Sequence, residues 1–88
     1  MDFHQKAYVC THVFEQQRPV LLVTRPEGDW CLLCGGVHAD NADAYKVVGI
    51  GHLLEGDPTL SEILDLPADW DAERAAPGER WVRTRIED

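Results

Sequence analysis

The sequence predicts an α+β domain, with an antiparallel sheet of four or five strands and one or two short helices on one face. Three observations carry this expectation. Two apolar runs, residues 19–25 and 29–34, flank a turn cluster. Residues 7–14 and 80–86 alternate with a period of two. An Asp57-Pro58 helix start precedes apolar residues at helical spacing. These patterns belong to a hairpin, strands and an amphipathic helix respectively. With 88 residues and 44% hydrophobic content, the chain is expected to form a single domain over 1–88 with one core. Residues 1–6 are expected to form a flexible tail.

Tyr8, Cys10, His12 and Phe14 fall on one side of the first predicted strand, opposite Val9, Thr11 and Val13. The run Pro19-Val20-Leu21-Leu22-Val23-Thr24 suits a strand buried on both faces. Pro26-Glu27-Gly28-Asp29 then turns the chain, because proline presets φ and glycine accepts a left-handed backbone. Asp29–Cys34 returns as the hairpin partner, and Gly35-Gly36 ends it. Tyr45–Ile50 reads as a further strand, and residues 52–55 as a helical turn stopped by Gly56. Asp57 can accept from the first N–H groups of a helix, and proline suits its first position. Leu60, Ile63 and Leu64 form that helix's apolar stripe before Pro67 stops it. Residues 69–76 read as a second short helix or an irregular turn. Residues 80–86 read as an edge strand whose arginines deter pairing with other chains.

Sixteen acidic and eight basic residues give a net charge of −8. Such a field repels phosphate backbones and anionic lipid, so neither nucleic acid nor membrane is an expected partner. It suits a basic protein partner. The start Met1-Asp2-Phe3-His4-Gln5-Lys6 has neither the basic region nor the apolar run of a signal peptide. No apolar stretch reaches the roughly 18 residues of a membrane span. The expectation is a cytoplasmic protein with reduced thiols, as monomer or homodimer. An odd cysteine count agrees with that.

Cys31-Leu32-Leu33-Cys34 is the first motif to weigh. A redox Cys-x-x-Cys needs a helix N-terminus to stabilise its thiolate, and this one lies in a predicted strand. Residues three apart on a strand point to opposite faces. Zinc needs about four ligands. Cys10, His12, Cys31, Cys34 and His38 are the candidates, with Cys10 and His12 on one strand face. No second Cys-x-x-Cys completes a set. A Cys–His nucleophile would pair Cys34 with His38 or His52, and nothing in the sequence joins them. Gly49-Ile50-Gly51 lacks the rest of a phosphate loop. The expectation is therefore no catalytic residue, no cofactor and no metal, with the cysteines as small apolar groups. A small zinc domain built on the cysteines and histidines is the alternative.

Glu55, Asp57, Glu62, Asp65, Asp69, Asp71 and Glu73 accumulate before the first basic residue, Arg74. Read functionally, they form a negative patch for a basic protein, with Trp70 as an aromatic anchor among Asp65, Asp69 and Asp71. Read structurally, they are a solvated surface. Trp30 is expected in the core, and Trp70 and Trp81 either fold over the sheet or remain partly exposed.

The Gly28-Asp29-Trp30 hairpin and the Asp57-Pro58-Thr59-Leu60 helix start, with Pro19-Val20-Leu21-Leu22-Val23 and Leu66-Pro67-Ala68-Asp69-Trp70, are similar to features of small bacterial proteins of the immunity-like group. Members of that group neutralise toxins delivered between competing bacteria. The resemblance covers about residues 19–71. It implies a non-enzymatic, bacterial protein-binding domain. Its motifs are a turn, a helix start and an aromatic, so it carries over no catalytic residue, and the cysteine pair is no part of it.

Overall fold

The computed structural model describes residues 5–35 and 45–86. Within them the chain runs β1 (Lys6–Cys10), α1 (Thr11–Phe14), β2 (Leu22–Thr24), β3 (Cys31–Leu33), β4 (Tyr45–Gly49), α2 (Ile50–Gly56), a 3-10 helix (Pro58–Ile63), β5 (Trp70–Glu73) and β6 (Val82–Arg85). The architecture is α+β. The tail expected over residues 1–6 falls mostly outside the described residues, and Lys6 already belongs to β1.

The sheet has six strands among the described residues, in the order β4-β1-β3-β2-β5-β6. It is mixed rather than antiparallel, because β1 pairs β3 in parallel, Tyr8 opposite Cys31 and Val9 opposite Leu32. The other pairings are antiparallel. The parallel pair follows from the hairpin. Parallel neighbours need a crossover between them. Here α1 and β2 intervene, and β3 returns between β2 and β1.

The hairpin forms as expected, Val23 opposite Leu32. Its turn closes with Gly28 N–H donating to the Arg25 carbonyl (3.1 Å) and Asp29 N–H to that of Pro26 (3.1 Å). Glu27 (φ 56°) and Gly28 (φ 90°) are both left-handed. β2 is not buried on both faces: Val23 is fully enclosed, whereas Leu22 and Thr24 are only partly covered.

Two other expectations change. The period-two run 7–14 is a strand only to Cys10, and residues 11–14 turn into α1. The β-branched and aromatic residues there favour a strand locally, yet Val13 is buried by the helical bend, so packing overrides propensity. Residues 70–73, expected within a short helix or irregular turn over 69–76, are strand β5, paired with β2 by Val23 opposite Ala72. Its backbone groups are taken up by two neighbours, β2 and β6, and the alternation Trp70-Asp71-Ala72-Glu73 is a strand signal too short to be decisive alone. The edge strand expected over 80–86 is β6.

Alternate strand residues divide the sheet into two faces. Val9, Leu32, Val23 and Ala72 form one row and are wholly buried. They share a core with Val13, Ile50, Leu60, Ile63 and Leu66 from α1, α2, the 3-10 helix and its exit. The helices thus cover one face.

Two arginines bracket the 3-10 segment. Arg74, 6% exposed, donates to the Val20 carbonyl (3.0 Å), Thr59 Oγ1 (2.7 Å) and Asp57 Oδ2 (2.6 Å), and stacks on Trp81. Arg25 donates to the Leu66 carbonyl (2.7 Å) and the Gly28 carbonyl (2.8 Å), and stacks on Trp30. Asp57 caps the helix start as expected, accepting from Thr59 N–H at 3.1 Å.

Candidate functional site

The parallel pairing of β1 and β3 brings the C-terminal ends of both strands to the same end of the sheet. Cys10 closes β1, and Cys34 follows β3 directly. The bend into α1 swings His12 back toward both. Cys34 Sγ lies 3.6 Å from His12 Nδ1. The ligand atoms of Cys10, His12 and Cys34 all lie within 4.8 Å of one another. Cys10 and Cys34 are buried and His12 is partly exposed. No disulfide joins any of the three cysteines.

This sorts the sequence candidates. Cys10 and His12 do meet, but through the helical bend and not by sharing a strand face. Cys31 and Cys34 do not act as a pair. Cys31 sits on the face away from the helices, where burial and then the charge of Asp29 push its thiol above the ordinary range. The histidine against Cys34 is His12, which the sequence reading did not pair with it. His38 lies outside the described residues. His52 is exposed on α2, with its ring 3.8 Å from Glu55.

The second feature is the open face of the sheet. Register places Val47, Tyr8, Cys31, Thr24, Asp71 and Thr84 in one row across it. Leu33, Leu22, Glu73 and Val82 form the next row. Tyr45 (39% exposed), Val47 (56%) and Val82 (62%) are three of the four exposed large hydrophobics among the described residues. Asp71 interrupts this apolar surface. Its Oδ1 is buried and has no hydrogen-bond partner among the described residues.

The acidic residues Glu55–Glu73 do not form one patch. Asp57 is spent on Arg74 and Thr59. Asp65 pairs with Arg83 at 2.7 Å on the exposed surface, and that hydrogen bond holds its carboxyl below the ordinary range. Asp69, itself left-handed at φ 64°, accepts from Glu27 N–H at 3.0 Å and so clamps the hairpin turn. Trp70 is partly buried and packs against the core from the covered side. Asp71 and Glu73 alone of the segment face out from the open sheet. Sequence reasoning missed that face because its signal is the sheet order, which no local pattern carries.

No helix among the described residues is long and apolar enough to cross a membrane. No protein-family model, curated protein or solved structure matches the chain.

Proposed function

We propose that this chain is a non-enzymatic, protein-binding domain that docks a basic protein on the open face of its sheet, with Asp71 at the centre of contact. The observation that carries this reading is the combination of exposed apolar side chains with a partly buried carboxylate whose Oδ1 has no hydrogen-bond partner among the described residues. Exposed apolar patches on small domains mark interaction sites. An unsatisfied buried carboxylate oxygen is costly, and a lysine or arginine from a partner relieves that cost. The net charge of −8 steers such a partner toward the domain. The resemblance to immunity-like domains agrees with this reading, and a bacterial cytoplasmic setting is proposed with it. The proposed anchor moves from Trp70, which packs from the covered side, to Tyr45, Val47 and Val82. Of the acidic group, Asp71 keeps its proposed role, and Asp65 and Asp69 have intramolecular ones.

The test is capture from the source cell followed by kinetics with the purified partner. Asp71→Asn weakens binding by about 2 kcal/mol or more, chiefly through faster dissociation. Val47→Lys abolishes capture. Asp65→Lys, away from the open face, changes affinity by less than about threefold, in keeping with the small worth of exposed pairs. Raising salt slows association, since the Debye length is about 8 Å at physiological ionic strength. A partner insensitive to both Asp71→Asn and Val47→Lys overturns the reading.

A further inference from the structure

We propose that Cys10, His12 and Cys34 form a transition-metal site of the zinc class, with the metal held by two thiolates and His12 Nδ1. The geometry is that of a tetrahedral centre. Zn–S bonds of about 2.3 Å and Zn–N bonds of about 2.0–2.1 Å place sulfur and nitrogen about 3.6 Å apart, and two sulfurs about 3.8 Å apart. Cys34 Sγ and His12 Nδ1 are 3.6 Å apart, and Cys10 Sγ lies within 4.8 Å of both. A thiol–imidazole hydrogen bond accounts for the first distance alone. It gives no reason for a second thiol to converge on the same point.

Burial and charge point the same way. One buried thiolate is costly, but two thiolates around a divalent cation are neutral overall. Binding replaces two S–H bonds by two S–metal bonds and releases two protons to solvent, so affinity rises with pH while the thiols are protonated. Thiolate and imidazole donors together select zinc over magnesium or calcium, which take oxygen ligands. Three protein ligands leave one position for water or another donor. The site would pin the C-terminal ends of β1 and β3 to each other through side chains, beyond the backbone pairing of Tyr8 with Cys31 and Val9 with Leu32. Cys10 lies opposite Tyr45 in the sheet, but the inference rests on the ligand geometry and not on the docking proposal, and metal binding is read without a protein partner.

Cobalt(II) is the probe, titrated into reduced chain carrying no polyhistidine tag. The expected result is one cobalt per chain, with tetrahedral ligand-field bands and thiolate charge-transfer absorption, and full displacement by zinc. Cys10→Ser and Cys34→Ser each weaken cobalt binding by at least about 100-fold, the upper end of what losing a mere supporting partner costs. Cys31→Ser, three residues from Cys34 on the same segment, leaves it within about threefold. X-ray absorption on the zinc-loaded, unaltered chain does not depend on any variant folding, and is expected to count two sulfurs. Absent or substoichiometric binding overturns the proposal. So does a cobalt spectrum without thiolate bands, a sulfur count other than two, or an equal loss in Cys31→Ser.

Discussion

Arg74 leaves β5 and reaches back across the molecule, donating to Val20, Thr59 and Asp57 while its guanidinium lies over Trp81. Arg74→Met should cost about 3 kcal/mol, at the low end for breaking a buried ion pair because Asp57 still reaches water. Urea denaturation at neutral pH measures it. Burial pushes the Asp57 carboxyl up, but the hydrogen bonds from Thr59 and Arg74 outweigh it, and the net pKa lies below the ordinary value. A depressed pKa contributes stability that is fully present above the unfolded value, about 3.9, and is lost as pH falls through the folded value. Stability of the unaltered chain should therefore fall as pH drops below about 4, and Asp57→Asn should flatten that part of the profile. An unchanged slope in Asp57→Asn would reject the assignment. At the hairpin, a Cβ on Gly28 meets only Ala68, at an ordinary 3.8 Å, so space is not the obstacle. Its φ of 90° is, and Gly28→Val should destabilise by about 1 kcal/mol or more.

Each strand divides its side chains between the covered core and the open face, and the two classes should respond differently to substitution. Leu32 is enclosed at the centre of β3, paired with Val9 on one side and Val23 on the other. Leu32→Ala should cost about 3 kcal/mol, within the usual 2–5 for such truncations. Val82 on edge strand β6 is 62% exposed. Val82→Thr should stay within about 0.5 kcal/mol, as for surface positions lacking special contacts. Thermal or chemical denaturation of both variants checks the assignment of faces; equal losses would contradict it. Short elements depend on one another here. α1 is a single turn, so it owes its existence to Val13 in the core and to Gln16, whose φ of 59° ends it. Isolated, such a turn would not persist.

Across the whole molecule, the strand order predicts a gradient of protection. β1, β3, β2 and β5 each have two neighbours, and β4 and β6 are edges among the described strands. Native-state hydrogen exchange should find the slowest amides in β1, β3 and β2 and the fastest strand amides in β6, whose residues are all exposed. Slow exchange throughout β6 would place another strand or chain against it. The same order leaves one sheet face for the helices and the other for Tyr8, Tyr45, Val47, Val82 and Asp71.

Local chemistry made several parts of this protein legible in its sequence. Pro26 and Gly28 dictate the hairpin, Asp57 and Pro58 the helix start, and the alternation around Val82 the final strand, because each depends on backbone preferences of neighbouring residues. Trp30 as core followed from its place in the hairpin. What the sequence did not determine lies in long-range pairing. The four-residue run Trp70–Glu73 is held as a strand by β2 and β6 on either side. The stretch Thr11–Phe14 becomes a helix only because the core accepts Val13. Asp65 and Asp69, neighbours of Asp71 in sequence, are separated from it by partners that arrive from residues 83 and 27. Cys10 and Cys34 stand 24 positions apart, and only the parallel pairing of β1 with β3 brings their ends together. Periodicity reports which way a side chain points from its own strand. It carries no information about which strand lies alongside, and that choice is made by the packing of the whole chain.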